Sequence, residues 1–438
     1  MGRGEISQFR RYLMRHCDAL PFGVAKVTIS QTTSGAFDKV TVEDPFKIIP
    51  YIRDHSHRYL AKHTANTNGI AVATICQLND RNSAQFWDGT TADLSTGTMG
   101  DVFMKIDFPV YFRFPNGDNP DQAVCEITLQ PTAGFNVKWW PNWMIGVFEG
   151  YVKSSKMYSL AGKSVSNSFT QANGLSYATA KGVGYTIDVW VMHTLMGWFY
   201  YSLYGNTNCQ ASIGYGDTKR DSTVAYKQTG QTVNLGMIDT VGERGIILPD
   251  YQLGATNQGN NMSINFWGIE NWWGNFAEWF ADAKALTAGS ANLTVWVPDP
   301  NTGLLSSSCQ TREIPVAVCM KQNSSSSFSS CFVERMLIGD YGDLVNAKAT
   351  ISGTTMTQDT GWCDTQSHTN INSSTWAGNQ TRVVVRSNSL ASPGGGVAYA
   401  SANSAVSDTG AYIGGRLAFS GTIAEAASVA DFISAQQI

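Results

Sequence analysis

The chain has 438 residues, with 34 acidic against 30 basic side chains and a formal net charge of −4. A weakly acidic chain lacks the clustered Lys and Arg that attract phosphate, so nucleic-acid binding is not expected. Hydrophobic residues make up 43 %, enough for a sizeable core, but charged residues only 15 %, well under the usual share. Ser, Thr, Asn, Gln and 42 glycines supply the remaining polarity, a composition suited to long, neutral, hydrogen-bonding loops.

The opening MGRGEISQFRRYLMRHCDAL has no apolar h-region, so a secretory signal is not expected. The spacing of Phe9, Leu13, Met14 and Cys17 predicts a helix over residues 5–20. Residues 24–52 read as short strands in VAKVTIS and KVTVEDPFKIIPYI. The polar HSHRYLAKHTANTNG reads as a helix or loop and IAVATICQL as a buried strand. Turn-rich DRNSAQFWDGTTADLSTGTMGD places a domain boundary between residues 80 and 100. Strands follow in DVFMKIDFPVYFRF, CEITLQ and FNVKWWPNWM.

Residues 185–204, YTIDVWVMHTLMGWFYYSLY, are apolar almost all round and predict a deeply buried helix stopped by Gly205-Asn206. Polar interruptions keep this segment short of a membrane span, and no other apolar run is long enough. A Gly-, Thr-, Gln- and Asn-rich stretch fills residues 206–260. A second helix is expected over residues 275–286, with Phe276, Trp279 and Phe280 on one face. Further strands are read in ANLTVWVP, REIPVAVCM and SSCFVERML, then in TRVVVRSN, GGGVAYAS and GGRLAFSG within a polar final quarter.

Little here points to chemistry. The eight cysteines stand at positions 17, 76, 125, 209, 309, 319, 331 and 363, with no CxxC pair. They read as free buried thiols and not as a disulfide framework or zinc site. Of six histidines, four precede residue 64. No GxSxG elbow occurs, and the acidic residues are too scattered to nominate a catalytic pair. No catalytic residue, metal or cofactor is expected.

The string GIENWWGNFAEW at residues 268–279 resembles the GN-x-x-EW signature of C-type-lectin-like domains of the formylglycine-generating-enzyme type. As a helix entry, Asn275 would cap and Glu278 would complete a capping box. DGTTADLSTGTMGDVFMKIDFPVYFRF is similar to a segment of phage tail proteins, with Asp107 where a proline is usual. GNTNCQASIGYG resembles the loop after the family's first helix, with Cys209 in a serine position. The stretch from TRVVVRSN to GGRLAF resembles the C-terminal segment of the variable lectin-like proteins, which include the major tropism determinants of phages and the targets of diversity-generating retroelements. The likeness covers roughly residues 88–420.

This resemblance implies an α+β fold. A C-type-lectin-like domain over residues 91–438, with two main helices, short antiparallel strands and long loops, would follow a small mixed β-rich attachment or oligomerisation module at 1–90. Display loops would lie within about 339–420. The implied function is non-enzymatic recognition of a host-surface glycan or protein by a bacteriophage tail protein. It would be assembled in the bacterial cytoplasm and carried on the virion, without membrane insertion. Other virion proteins would bind the N-terminal module, and a homotrimer is implied by analogy. The expected ligand-binding residues are Trp362, Asp364, His368, Trp376, Arg386, Asn388, Tyr399, Asn403 and Tyr412, aromatic anchors mixed with short polar groups as in adaptable paratopes. Arg416, Glu270 and Asn271 are expected to be structural. The alternative is a baseplate, collar or decoration component using the same fold for protein contacts. Copper-dependent cysteine oxidation would need two late thiolates, and only Cys363 follows Cys331. Calcium-dependent sugar binding would need clustered oxygen ligands, and Asp299-Pro300-Asn301 reads as a turn.

Overall fold

The computed structural model describes residues 20–30, 39–115, 122–217, 226–242, 262–287, 291–314, 381–387, 395–397 and 399–438, with two- and three-residue strands at 246–247, 320–322, 331–333, 337–338, 344–345, 351–352, 355–356 and 365–366. The predicted helix at 5–20 lies outside the described residues. The fold is α+β and rich in strands, most of them antiparallel.

Three sheets carry it. The first runs Lys39–Glu43, Ala25–Ser30, Gln122–Thr128, Val110–Arg113, Val137–Trp139. Alternation builds it: in Ala25–Ser30 the residues Ala25, Val27 and Ile29 are buried, while the residues between them are only partly covered. The central sheet runs Tyr185–Ile187, Leu417–Ser420, Trp143–Gly146, Asp101–Ile106, Ser56–Thr67, Ile70–Asn79, Thr422–Glu425. The third runs Gln310–Ile314, Ala291–Val297, Ala277–Thr287, Thr381–Arg386, Ala400–Ala405, Thr365–Gln366, with Ile413–Gly414 added parallel to Ala277–Thr287.

The expected boundary near residue 90 runs through the central sheet. Ser56–Thr67 pairs with Asp101–Ile106, and Ile70–Asn79 pairs with Thr422–Glu425 near the chain's end. One hydrophobic core extends from Ala25 to Phe432. Among the described residues, therefore, 1–90 do not form a separate module. Ser56–Thr67 is also a strand where sequence pattern suggested a helix or loop. Its buried Arg58 and Lys62 are answered from far away in the chain. Lys62 Nζ donates to the carbonyls of Phe432, Ile433 and Ala435 at 2.8–2.9 Å, closing the last turn of the helix Val429–Ser434.

The helix Trp190–Tyr204 passes through the core with nearly every residue buried, and Gly205 ends it in the left-handed region at φ 63°. It starts five residues later than predicted. Tyr185–Ile187 is instead a strand paired with Leu417–Ser420. Asp188 makes the junction by accepting from Val189 N, and Asp282 Oδ1 accepts from Trp190 N at 3.0 Å.

The predicted helix over 275–286 is the strand Ala277–Thr287. Its approach passes through left-handed residues at Trp267, Gly268, Asn271, Gly274 and Asn275. Gly274 has φ 84°, and a Cβ there would lie 0.9 Å from the Gly216 carbonyl oxygen. The backbones touch, and only glycine fits. Glu278 is thus not a capping residue. It points into the core toward two arginines.

Candidate functional site

Glu278 lies opposite Arg386 across the paired strands Ala277–Thr287 and Thr381–Arg386. Arg386 Nη2 is 2.5 Å from Glu278 Oε2, and its Nε is 2.6 Å from Asp188 Oδ2. Its remaining Nη1 donates to the Trp272 carbonyl at 2.7 Å, and the guanidinium stacks 3.5 Å over the Trp272 ring. The other oxygen of Glu278 is 2.7 Å from Arg416 Nη2. Arg416 also donates to the carbonyls of Gly146, Val147, Glu270 and Asn271 at 2.9–3.1 Å. It therefore fastens the loop ends around it, the structural role anticipated for it. Arg386, Arg416, Asp188 and Glu278 are all fully buried.

Glu149 closes the cluster. It accepts from Asn275 Nδ2 at 2.6 Å and from Phe276 N at 3.1 Å. Burial and the nearby Glu278 push its carboxyl up to about 8. Burial raises Asp188 to about 6 against the pull of Arg386, and Asp282 to about 7 against backbone N–H donors. Burial and then Arg386 hold His193 well below the usual imidazole value. Asp188 and Glu278 face Arg386 and Arg416 in close ion pairs. Shifted carboxyls of this kind often mark catalysis. These ones are buried, and arginines, amide side chains and backbone N–H groups occupy them. Among the described residues no group of three His, Cys, Asp or Glu could hold a metal ion.

The cluster forms the root of the segment expected to carry ligand contacts. Arg386 and Arg416 flank the later part of that segment, and both bond Glu278. Between them, Gln210 Nε2 donates to the Gly395 carbonyl at 2.5 Å and Val397 N donates to Cys209 Sγ at 3.4 Å. The GNTNCQASIGYG loop thus grips the segment's middle.

Of the expected ligand residues, Tyr412 is half exposed, at 50 %, and its carbonyl accepts from Ala277 N. Tyr399 is 7 % exposed and directly precedes the strand Ala400–Ala405, which contains Asn403. Arg386 is 0 % exposed, with its fork committed to Asp188, Glu278 and Trp272, so it faces the core and not a display surface. Trp362, Asp364, His368, Trp376 and Asn388 lie outside the described residues, as does the side chain of Asn403. Thr365–Gln366 runs parallel beside Ala400–Ser401. One end of the third sheet therefore gathers positions 365–366, 386, 399–403 and 412.

No known family model and no curated protein matches this chain. The functional reading rests on the residues themselves.

Sequence reasoning missed a cleft of about 830 Å³ between the first sheet and the turn that follows Ala291–Val297. Its walls include Tyr111, Lys138, Trp140, Asn136, Ser308 and Gln310. The available signal was the alternation in VKWW, which buries Val137 and Trp139 and turns Lys138 and Trp140 outward.

Proposed function

We propose that this chain is a non-enzymatic receptor-binding protein of a bacteriophage tail, built on a C-type-lectin-like scaffold. It is assembled in the bacterial cytoplasm, carried on the virion as a homo-oligomer, and recognises a host-surface glycan or protein through its late loops. The observation that carries this reading is the shared clamp on Glu278. Arg386 and Arg416 bracket residues 387–415, and both are anchored to one buried carboxylate. A segment held at both ends can vary at exposed positions such as Val406 and Tyr412, while Val397, Ala400, Ala402 and Ile413 stay in the core. Tyr412 within it presents a large, half-exposed aromatic ring, the kind of anchor that recognition surfaces use.

The lectin-like scaffold is supported by how the region of resemblance closes. Trp143–Gly146 is hydrogen-bonded between Asp101–Ile106, near the start of that region, and Leu417–Ser420 at its end. Attachment to other virion proteins is assigned to the N-terminal end. There Phe22 and Phe46 are 73 % and 53 % exposed beside the edge strand Lys39–Glu43, an apolar surface suited to a protein partner. The test is binding of the purified protein to intact bacterial cells and isolated surface glycans, compared with single replacements in the late segment. Tyr412→Ala is expected to weaken binding while leaving circular dichroism unchanged. Undiminished binding by Tyr412→Ala and Trp376→Ala alike would overturn the assignment to the late loops.

A further inference from the structure

No described residue of the late segment lines the cleft between the first and third sheets. Its floor is the outer face of the edge strand Val137–Trp139. Tyr111 and Lys138 are direct cross-strand partners there, so both side chains rise from the same face. The Lys138 ammonium lies 3.9 Å above the Trp140 ring and 5.5 Å from Tyr111. Gly303 packs against Trp140, and Trp143 Nε1 donates to the Gly303 carbonyl at 2.6 Å, which fixes the opposite wall. Asn142 Nδ2 fastens the same turn by donating to the Thr302 carbonyl.

Lys138 is the one cation among the described lining residues, and aromatic rings are its only described partners. Its three N–H donors carry no described hydrogen bond, and partial burial lowers its pKa. A partly desolvated ammonium without an acceptor favours an incoming anion. Asp299, the one carboxylate on the rim, is turned into its own loop, accepting from Asn301 N at 2.8 Å and Thr302 N at 3.0 Å. The remaining walls offer Asn136, Ser308 and Gln310, short groups that both donate and accept. The volume falls within the roughly 300–1,000 Å³ of small-ligand sites. Asn136, Ser308 and Gln310 are exposed, with Ser308 Oγ 2.7 Å from Ser306 Oγ, so a purely apolar partner would displace water from these groups without replacing its hydrogen bonds. A ring bearing hydroxyls and one acidic group would answer all of them.

We propose that this cleft is a second ligand site, which binds an anionic saccharide with its acidic group on Lys138 and its hydroxyls on Asn136, Ser308 and Gln310. The site does not depend on the late loops. A carboxylated and a sulfated sugar share the chemistry that Lys138 selects.

The test is calorimetric titration of the full chain with a galacturonic acid trimer, a sulfated disaccharide and neutral maltotriose. The site predicts binding of at least one acidic sugar that weakens as salt rises, with neutral maltotriose much weaker. Lys138→Met, which keeps the apolar stem, is expected to reduce acidic-sugar affinity about tenfold. Gln310→Ala, at an exposed rim position, is expected to reduce it less while leaving thermal stability unchanged. Tyr412→Ala is expected to leave this binding intact, which separates the cleft from the late loops. The proposal is overturned if neither acidic sugar binds at up to about 10 mM, if maltotriose binds equally well, or if folded Lys138→Met and Gln310→Ala both bind like the parent.

Discussion

Arg416→Met keeps most of the buried stem of the side chain and removes every donor. In the parent, the guanidinium pairs with Glu278 and serves the carbonyls of Gly146, Val147, Glu270 and Asn271. Breaking a buried ion pair by removing one partner costs about 3–5 kcal/mol. Each orphaned buried carbonyl adds about 1 kcal/mol or more. Glu278 keeps Arg386, and the contacts are coupled, so the sum is not simply additive. A loss of about 4–7 kcal/mol is expected. That is a large part of the roughly 5–15 kcal/mol that holds a domain together. For a chain of this size it corresponds to a fall in Tm of about 4–8 °C. Arg416→Lys should recover only part of the loss, because one ammonium cannot reproduce a fork spanning four carbonyls and a carboxylate. Urea and thermal unfolding followed by tryptophan fluorescence would measure both variants. A Tm for Arg416→Met within about 2 °C of the parent would refute the clamp as a source of stability.

Three further outcomes follow from the same core. The folded-state pKa values of Glu149, Asp282 and Asp188 are raised by burial to about 8, 7 and 6. Their contribution to stability is therefore fully present below the ordinary carboxyl range and is lost as pH rises through about 6–8. Tm should fall between pH 5 and pH 9, and less steeply in Glu149→Gln; the same slope in that variant would contradict the assignment. Gly274→Ala places a Cβ on the Gly216 carbonyl and imposes φ 84° on an alanine, so soluble expression or Tm should drop sharply, and a neutral result would show that the two backbones separate easily. Trp272→Ala and Trp279→Ala, both fully buried, should each cost about 3–5 kcal/mol in urea unfolding, whereas half-exposed Tyr412→Ala should stay within about 0.5 kcal/mol.

The strands with β-branched alternation were legible from sequence: VAKVTIS, IAVATICQL, CEITLQ and TRVVVRSN all fold as strands. So was the buried helix ending at Gly205. What misled the reading was polarity whose partner is remote in the chain. Ser56–Thr67 looked polar because Arg58 and Lys62 are buried within it. Their acceptors, among them Thr232, Asn265 and Phe432, lie far downstream. The GNFAEWF segment looked like a capped helix because Asn275 and Glu278 have helix-cap spacing. That pattern cannot show that Asn275 sits at φ 63° or that Glu278 is claimed by Arg386 and Arg416. Arg386 read as a display residue for the same reason: its polar neighbours in sequence suggested a loop, while its partners Asp188 and Glu278 come from other elements. The domain boundary failed because a turn-rich stretch joined two strands of one sheet instead of two domains.

The most direct test of the central claim is cell binding by the full chain beside a variant carrying Trp362→Ala, Trp376→Ala and Tyr412→Ala, both verified as folded by circular dichroism. The account predicts that the parent binds host cells and that the folded triple variant does not. Equal binding by both proteins, or no binding by either while both assemble normally into particles, would contradict it and favour a structural role in the virion.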